Sequence, residues 1–161
     1  MPLTHLREFL DKNNVKYMVI SHSVAYTAQG IAALVHLSGK KLAKTVMVKV
    51  EGKLAMAVVP ASMHVDMGLL KASAGEKHVE LASEQEFNDQ FPDCETGAMP
   101  PCGNLYGMRV FADESLAGYE EITFNAGTHR ELLRLTWNDF ARLVQPTVTK
   151  LTSSAAAKTA A

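Results

Sequence analysis

Apolar and polar positions alternate most clearly between residues 45 and 59. Thr45-Val-Met-Val-Lys-Val50 and Leu54-Ala-Met-Ala-Val-Val59 flank Glu51-Gly52-Lys53. That pattern predicts a β-hairpin with a glycine-containing turn, closed by Pro60. Upstream, Thr4 stands where a helix would be capped, and Leu6, Phe9 and Leu10 follow near helical spacing until Asn13-Asn14. Val15 to Ser21 reads as a strand, and Thr27 as the cap of a helix over Ala28–Leu37 that stops at Ser38-Gly39. Short helices are expected near Val65–Ala72 and Ser83–Asn88. Strands are expected at Tyr106–Phe111, Glu121–Asn125 and Leu132–Leu135, and a closing helix at Trp137–Val144. Between them, residues 92–107 (PDCETGAMPPCGNLYG) form a shaped loop rich in proline and glycine. Mixed elements in this order predict an α/β fold, α+β-like, on a mixed or mostly antiparallel sheet.

Length and composition narrow the class. The chain has 161 residues, 47% hydrophobic and 20% charged, which suits one globular domain with a real core. From residue 148 to 161 bulky apolar groups are scarce, so this stretch is expected as a mobile tail behind a domain of residues 1–147. No apolar run approaches the roughly 20 residues that span a bilayer. The charged opening MPLTHLREFLDKNN lacks a secretory core, so a cytoplasmic location is expected. Cys94 and Cys102 match no zinc spacing and are expected as reduced structural thiols. A net charge of −1 argues against a protein that grips duplex DNA through many phosphates. Lys40, Lys41, Lys44, Lys49 and Lys53 nevertheless crowd one stretch that holds a single acid, Glu51, so a short contact with one nucleic-acid end stays open.

The familiar catalytic sets are missing: no G-x-S-x-G, no H-E-x-x-H and no phosphate loop ending in G-K. His64-x-Asp66 offers two metal ligands, which do not make a site, and no metal or other cofactor is expected. A nucleophile built on Cys102 and a histidine is a minor option. Three segments carry candidate chemistry. Lys44 precedes a strongly β segment and would hold a phosphate as a point charge, or be an ordinary solvated lysine. Gly97-Ala-Met-Pro-Pro-Cys-Gly103 would offer backbone N–H groups to an oxyanion, or be a tight surface turn. Phe124-Asn-Ala-Gly-Thr-His129 would point polar groups into a pocket at a strand end, or be an Asn-Gly turn with a solvent-facing histidine.

Taken in order, Val19-Ile-Ser-His22, Thr27-Ala-Gln, Lys44-Thr-Val-Met-Val, Val59-Pro-Ala, Gly97–Gly103 and Asn125-Ala-Gly-Thr-His129 resemble the YbaK and prolyl-tRNA synthetase editing-domain family. The resemblance runs over about residues 3–147. It implies a curved, barrel-like sheet surrounded by short helices, and hydrolysis of the ester between an amino acid and the terminal adenosine of tRNA. It assigns Lys44 to the tRNA 3′ end, with Gly97 and Gly103 framing the loop over the aminoacyl group. These three are the expected catalytic residues. His22, Thr27, Pro100, Pro101, Asn125, Gly127, Thr128 and His129 are the expected substrate-binding positions. Two positions depart from the family pattern: Cys102 stands where an aromatic residue is frequent, and Gly30 where a glutamate is frequent.

The resemblance implies no covalent nucleophile, in line with the missing triad. The ester is activated by a neighbouring ribose hydroxyl, and the protein positions it, admits water and stabilises the oxyanion. A synthetase pocket rejects a substrate one methylene different by only about 10–200-fold, so a second, editing site has a purpose. The implied partner is the aminoacyl-tRNA 3′ end, with an aminoacyl-tRNA synthetase as an option. No DNA or membrane is expected, and the chain is expected as a monomer or homodimer. Alanine, serine, threonine and cysteine are the candidate amino acids. A non-catalytic module binding a tRNA end or nucleotide, and a small-molecule esterase, are the competing readings.

Overall fold

A computed structural model describes residues 4–21 and 41–153. Helix α1 spans Thr4–Lys12 and buries Leu6 and Leu10, one turn apart. Asn14 adopts a left-handed conformation (φ 55°) and turns the chain back, so that Val15 N–H donates to the Leu10 carbonyl at 3.0 Å. The strand expected from Val15 begins only at Met18: β1 is Met18–Ser21, while Val15 is spent on the core. The helix expected over Ala28–Leu37 lies outside the described residues.

The expected hairpin is present as β2 (Ala43–Val50) and β3 (Lys53–Pro60). Its turn is tighter than expected. Lys53 pairs with Val50, so Glu51 and Gly52 alone make the turn, at φ 50° and 77°. Two consecutive left-handed residues match the right-handed twist of the flanking strands. Helix α2 (Met67–Ala74), β4 (Val79–Leu81) and α3 (Glu84–Phe87) follow. Asp66 caps α2 through Leu69 N–H, and Ser83 with Glu86 forms a capping box on α3. Then come β5 (Arg109–Asp113), β6 (Glu121–Asn125), β7 (Glu131–Thr136), α4 (Trp137–Val144) and β8 (Thr147–Thr149). Residues 106–108, expected to open a strand, instead leave a short 3₁₀ turn at Gly103–Leu105.

The described strands form two sheets. One has the order β1-β7-β6 and is antiparallel; the other, β4-β2-β3-β5-β8, is mixed. A parallel bridge from Leu42 to Thr123 joins them at the start of β2. β2 therefore shares one edge between β6 at its beginning and β4 near its end. The larger sheet is packed on both faces. Met47, Met56, Val58 and Ala112 join the main core with α1, α4 and the smaller sheet, while Val48, Ala57, Val59 and Phe111 meet Leu70 of α2 and Leu151. Burial on both faces explains why β3 reads as an almost unbroken apolar run.

The tail expected from residue 148 is corrected by this packing. β8 pairs in parallel with β5, and Leu151 is fully buried. The buried Asp113 carboxylate accepts bonds from Leu151 N–H, Thr152 N–H, the Thr152 hydroxyl, Ser115 N–H and the Ser115 hydroxyl. One carboxylate, not a stretch of apolar sequence, ties this end down, which is why composition missed it. Residues 154–161 lie outside the described part.

Candidate active site

The smaller sheet aligns its side chains in rows. Met18, Arg134 and Thr123 stand opposite one another across three strands, and Ile20, Leu132 and Asn125 form the next row. The Leu42–Thr123 bridge extends the first row into the second sheet. Side chains two residues apart share a face, so Lys44, two residues past Leu42, falls on the face that carries Asn125, two residues past Thr123. The middle of this face is buried, with Leu42, Thr123 and Leu132 at 1%, 3% and 0% exposure, while Met18 at its edge is 52% exposed. Lys44 is half-buried, and burial alone lowers its pKa from the ordinary lysine value. Asn125 Oδ1 is buried without a hydrogen-bond partner. A desolvated cation with no counter-charge among the described residues and an orphaned acceptor are both unfavourable in a folded chain unless something binds them.

Immediately beyond Asn125 the chain turns at Gly127 (φ 95°), and this turn is stitched to the proline-rich loop. Glu95 N–H donates to the Gly127 carbonyl at 2.8 Å, and Gly127 N–H to the Ala98 carbonyl at 2.9 Å. His129 N–H donates to Glu95 Oε1 at 2.6 Å, and His129 Nε2 meets the Thr96 carbonyl at 2.8 Å. A carbonyl only accepts, so that last contact puts the ring hydrogen on Nε2. His129 is 7% exposed and props the loop; the solvent-facing alternative is excluded. Thr128 Oγ1 accepts from Arg130 N–H at 3.3 Å, a local turn contact.

The two loop glycines differ. Gly97 is exposed, has φ 88°, and among the described residues its N–H meets only the soft Met99 sulfur, at 3.3 Å. A Cβ there would lie 3.5 Å from the His129 ring, an ordinary contact. Gly103 is buried, and a Cβ would come within 2.6 Å of the Met108 carbonyl oxygen and of Val110. Its own carbonyl accepts from Tyr106 and Met108 N–H, both at 2.9 Å. Gly103 is glycine for packing reasons. Pro100 and Pro101 are buried between these two points.

Cys102 is 2% exposed, and burial pushes its thiol up to about 12, which removes it as a nucleophile at neutral pH. Burial raises Cys94 to about 11, and both cysteines are free thiols. Asp66, half of the His64-x-Asp66 pair, is engaged as a helix cap and by the Ser153 hydroxyl at 3.3 Å. Among the described residues no three His, Cys, Asp or Glu side chains gather as a metal site. No helix among them is long and apolar enough to cross a membrane. The lysine stretch separates as well. Lys49 pairs with Glu80 and Glu86, Lys41 lies over the Tyr119 ring, and Lys53 is exposed. His22, Thr27, Gly30 and Lys40 lie outside the described residues. Glu95, which sequence reasoning did not single out, is the acid that joins loop and turn. Its one local signal is its place just before a Thr-Gly pair.

The aminoacyl-tRNA editing domain model matches residues 22–143. The multifunctional Ser/Thr-tRNA deacylase ProXp-y of Escherichia coli (strain K12) is 26% identical over 151 residues, covering 89% of this chain and 90% of that protein. Proline–tRNA ligase of Bacillus mycoides (strain KBAB4) is 29% identical over 87 residues, 54% of this chain but only 15% of the ligase. A crystal structure described as a candidate trans-editing enzyme for prolyl tRNA synthetase superposes with a TM-score of 0.79 at 22% identity, covering 92% of this chain and 95% of that one. The chain belongs to the aminoacyl-tRNA editing-domain family, and its activity is the hydrolysis of mischarged aminoacyl-tRNA.

Proposed function

We propose that Lys44, Asn125 and the Gly97 end of the loop hold the reacting ester of mischarged tRNA. The observation that carries this reading is a half-buried lysine, with no counter-charge among the described residues, on the same sheet face as an orphaned amide oxygen. A tRNA 3′ end supplies what both lack. A phosphate of the terminal nucleotide neutralises Lys44. A ribose hydroxyl or the α-ammonium group donates to Asn125 Oδ1. Gly97 N–H, held by a weakly accepting thioether, turns to the ester carbonyl as charge develops on oxygen, while His129 and Glu95 keep the loop in place. Water adds to the carbonyl carbon, the bond to the ribose oxygen breaks, and that oxygen leaves with a proton. The neighbouring ribose hydroxyl orients the water, so the protein need not form a covalent intermediate. Gly103, Pro100 and Pro101 set the loop's shape, and Gly127 and Thr128 its anchor; His22 and Thr27 complete the substrate side by resemblance.

The E. coli relative is named for serine and threonine, so these esters are the expected first substrates, removed in trans after release from a synthetase. Prolyl-tRNA synthetase is the partner that the ligase match favours. The functional unit runs through Thr152, and its two sheets act as one curved, barrel-like frame hinged at the Leu42–Thr123 bridge. The cytoplasm is its place of work. The test is a deacylation panel of seryl-, threonyl-, alanyl- and cysteinyl-tRNA. Faster loss of the seryl and threonyl esters is expected; binding of tRNA without hydrolysis of any ester would overturn the reading.

A further inference from the structure

One row before Lys44 and Asn125, the same face opens into a cavity of about 220 Å³ lined by Lys41, Tyr119, Glu120, Glu121, Thr123 and Arg134. The donors here are underused. Arg134 Nε is buried with no hydrogen bond and lies 3.9 Å from Glu121 Oε2, and its Nη2 spends itself on the Met18 sulfur at 3.1 Å. Lys41 Nζ lies 5.7 Å from the centre of the Tyr119 ring. Two cations and two carboxylates line one cavity, so a bare phosphate gains little net attraction. A group that offers donor and acceptor atoms along one edge, with a flat face for Tyr119, fits better. Cytosine has that edge: its amine donates to a carboxylate, and its ring nitrogen and carbonyl accept from a guanidinium. Stacking on an aromatic ring adds to this.

The spacing agrees. Successive rows on one face of a strand are about 6.6 Å apart, within the reach of one nucleotide. We propose that this cavity binds the penultimate cytosine of the tRNA C-C-A end, with the terminal adenosine in the Lys44–Asn125 row. The single strand then follows β6 toward the Gly97 loop. This rests on the deacylase reading above and adds a subsite for the nucleotide before the reacting one.

The experiment uses the full chain and three substrates: seryl-tRNA, the same tRNA with the penultimate cytosine replaced by uracil, and seryl-adenosine, which has no penultimate nucleotide. Under single-turnover conditions Arg134→Met should raise the half-saturating concentration of seryl-tRNA about 10-fold, with the maximal rate and seryl-adenosine hydrolysis unchanged. The uracil substitution should cost wild type a similar factor and cost Arg134→Met almost nothing more. Glu121→Gln, a rim change, should erase the preference for cytosine over uracil. Equal slowing of tRNA and seryl-adenosine, or no cytosine preference in wild type, would overturn the subsite. If wild type hydrolyses none of the three, the deacylase reading falls. Binding of uncharged tRNA with C-C-A against C-U-A ends, by the same variants, then decides the subsite alone.

Discussion

Replacing Lys44 with methionine should separate activity from stability in opposite directions. The ammonium is half-buried with no carboxylate acting on it among the described residues, so the folded state bears a desolvation cost that the unfolded chain does not. Methionine keeps the aliphatic stem beside Val46 and removes the charge. Relief of one unfavourable charge is worth about 0.5–1 kcal/mol, which for a chain of this size raises Tm by about 1–4 °C. The lost contact to a substrate anion is worth about 1.5–3 kcal/mol, so single-turnover deacylation should slow roughly 10–150-fold. The pH dependence follows from the lowered pKa. The folded chain releases this proton more readily than the unfolded chain, so stability attributable to Lys44 rises with pH between the two values. The advantage of the methionine variant is therefore full at neutral pH and fades as pH climbs toward the ordinary lysine value. The assay pairs thermal unfolding from pH 7 to pH 10 with hydrolysis of seryl-tRNA, and Lys53→Met serves as an exposed control. A folded Lys44→Met protein with wild-type rates would refute the site. A Tm several degrees lower would refute the claim that this lysine is held at a cost.

Gly103→Ala should lower Tm by about 2–12 °C, because a Cβ within 2.6 Å of a backbone oxygen costs about 1–3 kcal/mol. Gly97→Ala has room, bears only the strain of its positive φ, and should lose more activity than stability; the reverse order in a paired rate and melting experiment would show that the two roles are misassigned. Leu151→Ala should cost about 2–5 kcal/mol, as should truncation before β8, whereas removal of residues 154–161 should leave Tm unchanged; equal melting of all these variants would mean that the Asp113 lock contributes nothing.

Local pattern made much of this protein legible. Alternation in Thr45–Val59 wrote the hairpin, and periodic apolar residues wrote α1 and α4, because burial of one face leaves its period in adjacent residues. The grouping of Lys44, the Gly97–Gly103 loop and His129 came from family resemblance, since nothing in their spacing joins them. Only tertiary structure decided the rest. β4 and β8 are three residues each, too short to carry a period, and exist because a neighbouring edge pairs with them. Leu151 looked like tail until a carboxylate 38 residues away accepted its N–H. Gly97 and Gly103 look alike in sequence, yet a side chain would make an ordinary contact with the His129 ring at one and run into a carbonyl oxygen at the other. Lys44 and Asn125 come to share one face through a single bridge, Leu42 to Thr123, which sets the register of one sheet against another. Register is a long-range choice made by the whole core, so no local run of residues records which side chains it brings together.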